Sequence, residues 1–390
     1  MCRKQLPNDE TESSPERESA SVRHLDKQYS VSYRRWRLKN KGGYGFFYHD
    51  IRNEYTYQDG KGFIRDVPEY SERCAIHNVN RLISCIMLFY LLFNTLSVYV
   101  IPSFLSSACG VNIGVDLTRN AYYGDETTII VYKYITSILK RLIPISLLGI
   151  LTGMPAKVMI PVKTSNKALF GTAIPSALLV AAAGSVMMIP MKNLFSYIHA
   201  GLNLNLTITS DTSNMTALLI LSLIITPIMS EIFVHGGCLQ LLRQFGDGYA
   251  LMITGLITAM TSDDIRLFLY FFMISVVIGY FTLRTGSVIT AIVMRMTVSG
   301  FFYIQSFLGT IEDERLSAIF VTVFVLICLA VGLICVVRFM LVNNHKISLP
   351  LKATYLLPYD KMMSFFTTPS VILWLTASFA VMLCSIPLDL

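Results

Sequence analysis

Apolar stretches long enough to cross a lipid bilayer follow one another from residue 82 almost to the end of the chain. The hydrocarbon core of a bilayer is about 30 Å thick, so about 20 apolar residues in a helix can span it. Only 15% of the residues are charged, whereas soluble domains carry about 25%. The pattern predicts an all-α, polytopic transmembrane helical bundle of about eight or nine spans. The predicted segments are 82–105, 129–153, 169–191, 215–242, 249–262, 266–283, 286–308, 316–341 and 370–387.

The chain around these stretches divides into a tail, a connecting segment and one long loop. Residues 1–41 are rich in Ser, Glu, Arg and Lys and lack apolar periodicity, which predicts a disordered cytoplasmic tail. Residues 42–81 add aromatic residues and are interpreted as a juxtamembrane segment. The transmembrane domain is expected at 82–342, a cytoplasmic loop at 343–369 and a terminal transmembrane helix at 370–390.

The distribution of charge predicts the orientation of the bundle. With the N-terminus inside, the inner loops after the tail hold nine basic and two acidic residues, and the outer loops hold four basic and ten acidic ones. Basic residues favour cytoplasmic loops, so a cytoplasmic N-terminus is expected. Residues 1–81 contain 15 of the 32 Lys and Arg, but 12 Asp and Glu are interleaved with them. This mixed tail favours contact with membrane lipid and predicts no nucleic-acid partner.

Few ionisable residues lie deep in the predicted spans. Lys133, Lys140 and Arg141 interrupt the second span, so they have to face the bundle interior or a watery cavity. A transporter with a polar path along such residues is one hypothesis for the function.

Glu231, His235 and Arg295 are the other deeply placed ionisable residues. The first two are four residues apart and therefore share one helical face. Arg295 lies in the seventh predicted span at a similar depth, so a Glu–Arg ion pair across the two helices is geometrically plausible. Such residues indicate either a functional site or a structural ion pair.

Several kinds of site are excluded by missing motifs. The sequence contains no HExxH, GxSxG, GxGD, P-loop or GxGxxG pattern. The eight cysteines show no CxxC spacing, and one histidine lies clearly within a span. We therefore expect no metal site and no cofactor.

Three blocks of the chain carry a recognisable pattern. The first reads Pro-Ile-Met-Ser-Glu-Ile-Phe-Val-His-Gly at 227–236, and the second reads Ile-Thr-Ala-Met-Thr at 257–261. The third runs from Leu-Arg-Thr-Gly-Ser at 283–287 to Ala-Ile-Val-Met-Arg-Met-Thr-Val-Ser at 291–299. In this order and spacing, the blocks resemble the CAAX protease and bacteriocin-processing family of intramembrane glutamic-type endopeptidases. The resemblance implies a CAAX-protease-like core and, through the last helix, a bacterial plasma membrane protein.

The catalytic positions of that family are substituted in this chain. The resemblance implies that Ser230 stands where the water-activating Glu belongs. Thr261 and Arg295 replace the two histidines that assist or stabilise the oxyanion, and Ser299 replaces the Asn that positions the intermediate.

Glu231 alone matches the family, as its second Glu, and His235 stands in for the family's Arg. A general base has to accept a proton near neutral pH, which Ser, Thr and a permanently charged Arg cannot do unaided. The sequence therefore favours a degenerate member of the family with an eroded catalytic centre. Such a protein would bind or regulate a hydrophobic or prenylated peptide, or a lipid-like tail. The alternative is an active endopeptidase, for CAAX-type or leader peptides, that uses Glu231 and His235. The sequence does not specify an oligomeric state.

Overall fold

The computed structural model describes residues 31–39, 43–46, 55–58, 62–65, 68–116, 121–162, 167–195, 207–208, 215–262, 264–342, 349 and 354–384. Its helices are α1 (Val31–Lys39), α2 (Pro68–Cys109), α3 (Glu126–Thr152), α4 (Ala156–Met159), α5 (Lys167–Phe195), α6 (Thr216–Phe245), α7 (Asp247–Met260), α8 (Phe268–Thr285), α9 (Val288–Leu308), α10 (Glu314–Val342), α11 (Pro358–Phe366) and α12 (Pro369–Cys384).

Two small sheets lie outside the long helices. Strands β1 (Tyr55–Gln58) and β2 (Gly62–Arg65) form an antiparallel hairpin. Strands β3 (Ile113–Asp116) and β4 (Ala121–Gly124) form a second one, which connects α2 to α3. A two-residue strand, β5 (Thr207–Ile208), pairs with β4 in parallel.

The long helices confirm the predicted transmembrane bundle, and the chain is an integral membrane protein. Each of the nine predicted apolar segments falls on a helix. Within the described ranges, seven helices are long and apolar enough to cross a membrane, or up to eight if the bent pair α11–α12 is one span. Helix α7 is apolar but has only 14 residues. Helices α11 and α12 are bent by 70° relative to each other.

The amino-terminal region differs from its prediction. Residues 1–30 lie outside the described residues, so the predicted disorder there stays a prediction. Val31–Lys39, assigned to the same tail, instead form α1. Tyr33 donates a hydrogen bond to the Gln240 carbonyl at 2.8 Å, and the Trp36 indole donates one to the Thr152 carbonyl at 3.0 Å. Burial of these two side chains against the bundle stabilises a helix whose sequence lacks apolar periodicity.

Two other predicted boundaries move for similar reasons. The first long helix begins at Pro68, well before the predicted start at residue 82, because Glu72 is fully buried and accepts a hydrogen bond from the Leu356 backbone at 2.9 Å. The predicted loop 343–369 contains α11, whose Lys361 pairs with Glu72 at 3.2 Å. These polar contacts stabilise helices in segments that hydropathy alone assigns to loops.

The turn between α8 and α9 explains the Leu-Arg-Thr-Gly-Ser block. Gly286 ends α8 with a φ of 70°, a left-handed conformation that glycine adopts without strain. Ser287 caps α9 by accepting a hydrogen bond from the Ile289 backbone, and its hydroxyl donates to the Val162 carbonyl at 3.0 Å. The turn therefore fixes the start of the helix that carries Arg295.

Helix α6 is locally widened on both sides of Ser230 and Glu231. Leu221–Ile225 and Ile232–Cys238 are π-helical. Pro227 lies two residues after the end of the first of these turns, and its ring needs room against the preceding turn. Single π-helical turns occur frequently at functional sites.

Candidate functional site

Glu231 is buried in α6, where only 2% of the residue is exposed. One carboxylate oxygen, Oε2, is hydrogen-bonded to Nδ1 of His235, one turn further along the helix. The other oxygen, Oε1, lies 3.8 Å from Nε of Arg295 in α9. The structure therefore brings together the three deeply placed ionisable residues of this region and contains the Glu–Arg ion pair that the sequence suggested.

The hydrogen bonds of His235 indicate how many protons the His235 and Glu231 side chains hold together. Its Nε2 lies 3.1 Å from the carbonyl oxygen of Ser275 in α8. A carbonyl oxygen can only accept, so Nε2 carries a hydrogen. Nδ1 faces a carboxylate, and a second proton has to lie between Nδ1 and Oε2 for this contact to be favourable. The Glu231–His235 pair is thus neutral as a whole, whichever partner holds that proton.

Arg295 remains a cation beside this neutral pair. Its guanidinium carbon lies 4.8 Å from the centre of the Phe271 ring, a cation–π contact with α8. Its Nη1 atom is buried and has no hydrogen-bond partner within the described part of the chain. An arginine cannot neutralise itself by releasing a proton. Its charge is therefore only partly offset by the carboxylate of Glu231.

Ser230 is held by a second arginine. Nε of Arg141, in α3, donates to the Ser230 hydroxyl oxygen at 3.0 Å, and the Ser230 hydroxyl donates to the Thr226 carbonyl at 2.7 Å. Both ring nitrogens of His235 are already engaged, so it is not available as a base for Ser230. A serine without a neighbouring base is a weak nucleophile.

Lys140 and Arg141, which the transporter hypothesis places on one polar path, contact different neighbours. Lys140 donates to the Asn94 side-chain oxygen in α2 at 3.2 Å, whereas Arg141 contacts Ser230 in α6. Lys133, one turn or more before them, lies 5.1 Å from the centre of the Tyr122 ring. The three basic residues of α3 therefore contact different neighbours.

Thr261 and Ser299, the other two substituted positions, lie at the end of α7 and on α9, respectively. Thr261 ends α7, and its hydroxyl donates to the Thr258 carbonyl at 2.8 Å. Ser299 lies one turn after Arg295 on α9. Within the described ranges, neither side chain is hydrogen-bonded to Glu231.

Helix α7 reaches the site through Thr258, which sequence reasoning missed. Its hydroxyl is 2.9 Å from that of Ser275, whose oxygen is 3.4 Å from Nε2 of His235. In the sequence, the signal for these contacts is one polar side chain in each of two otherwise apolar helices. Gly279 makes room for it, because a Cβ atom there would lie 3.2 Å from Nε2 of His235.

The side chains of the site were also considered as ligands for a metal ion. The described residues contain no group of three or more His, Cys, Asp or Glu side chains that could hold a metal ion. The carboxylate oxygens of Glu231 are instead engaged by His235 and Arg295.

Comparison with known proteins gives a match to a protein family. Residues 212–301 match the family model described as "Type II CAAX prenyl endopeptidase Rce1-like". No curated protein matches the chain, and no solved structure matches it. The matched segment includes all of α6, α7 and α8 and the part of α9 that carries Arg295. The resemblance seen in the sequence is confirmed: residues 212–301 of this integral membrane protein are similar to the Rce1-like type II CAAX prenyl endopeptidases.

Proposed function

We propose that the chain is a CAAX-protease-like membrane protein that binds its ligand without hydrolysing it. The ligand is a hydrophobic or prenylated peptide, or a lipid-like tail, taken up by the site around Glu231. One observation carries the proposal: His235 is hydrogen-bonded to both Glu231 and the Ser275 carbonyl beside the Arg295 guanidinium, from which we infer that the Glu231–His235 pair already shares a proton.

This arrangement opposes general-base catalysis. To activate a water molecule, the pair would have to accept a second proton. It would then carry a positive charge next to Arg295, whose Nε is 3.8 Å from the carboxylate. Two like charges at such a distance in a buried site repel each other strongly. The hydroxyl of Ser230, at the position of the family's water-activating Glu, gives no substitute base.

The environment proposed for the site is a plasma membrane, that of a bacterium, with the N-terminus in the cytoplasm. The excess of basic residues in the inner loops and of acidic residues in the outer loops supports this orientation. In this orientation α1 packs on the cytoplasmic side of α6, since Tyr33 contacts Gln240 near the end of that helix.

A reconstituted system tests binding against cleavage. The full chain is purified into nanodiscs of phosphatidylcholine and mixed with a farnesylated peptide that ends in a CAAX sequence. Mass spectrometry measures cleavage, and retention of the labelled peptide on immobilised nanodiscs measures binding. We expect saturable retention and no cleavage product. Empty nanodiscs correct for partition of the farnesyl group into lipid.

The second candidate is an active endopeptidase that uses Glu231 and His235, and their buried hydrogen bond favours it. It predicts a product that disappears in Glu231→Gln. The matched control is Glu314→Gln, which makes the same change at an exposed position at the start of α10. Cleavage that survives in the control and is lost in Glu231→Gln would replace the binding proposal by the enzymatic one.

A further inference from the structure

We propose that Arg295 and Tyr270 bind the carboxylate group of an amphiphilic ligand inside the bundle. The inference deepens the binding function proposed above, on which it rests, by naming the chemical group that the protein recognises. It begins from two buried donors that lie near each other and lack acceptors.

Tyr270 is the first donor. It lies in α8, only 4% of it is exposed, and its hydroxyl has no hydrogen-bond partner among the described residues. A buried hydroxyl without a partner is costly, so such groups are rare in native structures. The ring is firmly placed: it packs edge-on against Phe302 of α9, with centroids 5.2 Å apart. On its other side is Gly184 of α5, where a Cβ atom would lie 2.0 Å from the ring.

Arg295 is the second donor. Its Nη1 is buried and unpartnered, as described above. Arg295 and Phe302 are seven residues apart on α9 and therefore share one face. The guanidinium lies over Phe271, and the Tyr270 ring is 5.2 Å from that same ring. Arg295 and Tyr270 therefore both lie against the ring of Phe271.

The charge of the site favours an anion over a neutral acceptor. The Glu231–His235 pair is neutral as a whole, so Arg295 has no full counter-charge. A water molecule or an amide carbonyl would supply a hydrogen-bond acceptor but would leave this charge uncompensated. An anion that accepts from both donors would supply the acceptor and the charge together.

The number of donors favours a carboxylate. A carboxylate has one negative charge and two oxygens, which suit one guanidinium and one phenolic hydroxyl. A phosphate carries more charge and three acceptor oxygens, for which the two donors are too few. The aromatic rings of Phe271 and Phe302 beside the donors favour an apolar chain attached to the carboxylate. A fatty acid and the C-terminus of a lipidated peptide both have this chemistry.

The test compares acids with neutral analogues of the same shape. The full chain in phosphatidylcholine nanodiscs is titrated with radiolabelled palmitate and with hexadecanol. A farnesylated peptide with a free C-terminal carboxylate is compared with its C-terminal amide in the same way. We expect each acid that binds to bind at least about tenfold more tightly than its neutral partner, since a charge-assisted hydrogen bond is lost. The affinities for palmitate and for the peptide acid are then compared, which shows whether a fatty acid or a lipidated peptide is the natural source of the carboxylate.

Tyr270→Phe removes one donor and keeps the ring. We expect the affinity for the acid to fall about tenfold and the affinity for the neutral analogue to stay the same. Tyr303→Phe, at an exposed position on α9, is the matched control. Equal affinities for acid and neutral forms, or an unchanged affinity for the acid in Tyr270→Phe, would overturn the proposal. Both results are separate from peptide cleavage, which is the result that would overturn the binding function itself.

Discussion

Replacing Glu231 and replacing Arg295 should have unequal effects on stability, although the two residues form one ion pair. Glu231→Gln removes the only carboxylate near Arg295 among the described contacts and leaves a guanidinium whose Nη1 is buried with no counter-charge. Arg295→Gln leaves the Glu231–His235 pair, which remains neutral through its shared proton. The first variant therefore contains an isolated buried charge, and the second does not.

The distance gives the size of the difference. At 3.8 Å and an effective dielectric constant of about 20, two unit charges attract by about 4 kcal/mol. The neighbouring imidazole, when it holds the shared proton, repels Arg295 and reduces this value, so Glu231→Gln should cost about 3 kcal/mol, within the range for broken buried pairs. Arg295→Gln also removes the unpartnered Nη1, whose burial costs about 1–3 kcal/mol. Its net cost should therefore be below about 1 kcal/mol.

Thermal unfolding of the purified chain measures both effects. In large chains 1 kcal/mol shifts the apparent Tm by about 2 °C, so Glu231→Gln should lower it by about 6 °C and Arg295→Gln by less than about 2 °C. The double variant should be more stable than Glu231→Gln alone, because it no longer contains the isolated charge. A loss of stability in Arg295→Gln that equals or exceeds the loss in Glu231→Gln would refute the proton count for the Glu231–His235 pair.

Three further predictions concern the surroundings of the site. Burial raises the pKa of Tyr33 from 10.0 to about 12, so the stability that this residue gives α1 should be complete below pH 10 and lost as the pH rises through 12. Trp36 fluorescence should report this change, and Tyr33→Phe should remove it. Gly279→Ala places a Cβ atom 3.2 Å from Nε2 of His235, and it should lower stability by about 1–3 kcal/mol in thermal unfolding. Lys361→Met removes a buried cation that donates to a carbonyl at 2.6 Å and pairs with a carboxylate at 3.2 Å, and it should cost about 3–5 kcal/mol in the same assay. A pH response retained in Tyr33→Phe, or wild-type stability in either of the other variants, would contradict the corresponding contact.

The membrane-spanning helices could be predicted because the bilayer imposes their length. Any apolar run of about 20 residues has few alternatives to a helix that satisfies its own backbone. The Glu231–His235 contact followed from the same regularity, since residues four apart meet on one face of a helix. Arg295 could be assigned to the site because buried ionisable residues are expensive and rare in such spans.

Contacts that depend on helix rotation could not be predicted. Arg141 and Lys140 are adjacent in sequence, yet one contacts Ser230 and the other contacts Asn94. Hydropathy is similar on every face of a span that lipid surrounds, so it does not indicate which face is turned inward. The short helix α1 escaped prediction for a different reason. Its hydrogen bonds join Tyr33 and Trp36 to carbonyls more than 100 residues away.

The resemblance that places Arg295 at a histidine position of the family links the two proposals physically. A histidine can exist in neutral and protonated forms and can therefore take part in proton transfer. An arginine is always charged and only donates, so it favours a bound anion at all times. At the position where the resemblance predicts a residue that assists hydrolysis, this chain has a permanent cation and a neighbouring tyrosine hydroxyl without an acceptor among the described residues. A site with these properties is expected to retain the acid that peptide hydrolysis would otherwise generate and release. If Arg295→His, with Tyr270 unchanged, binds the acid as tightly as the wild type, the permanent charge is not what the site uses, and the proposed connection between the family's histidine position and the recognised carboxylate fails.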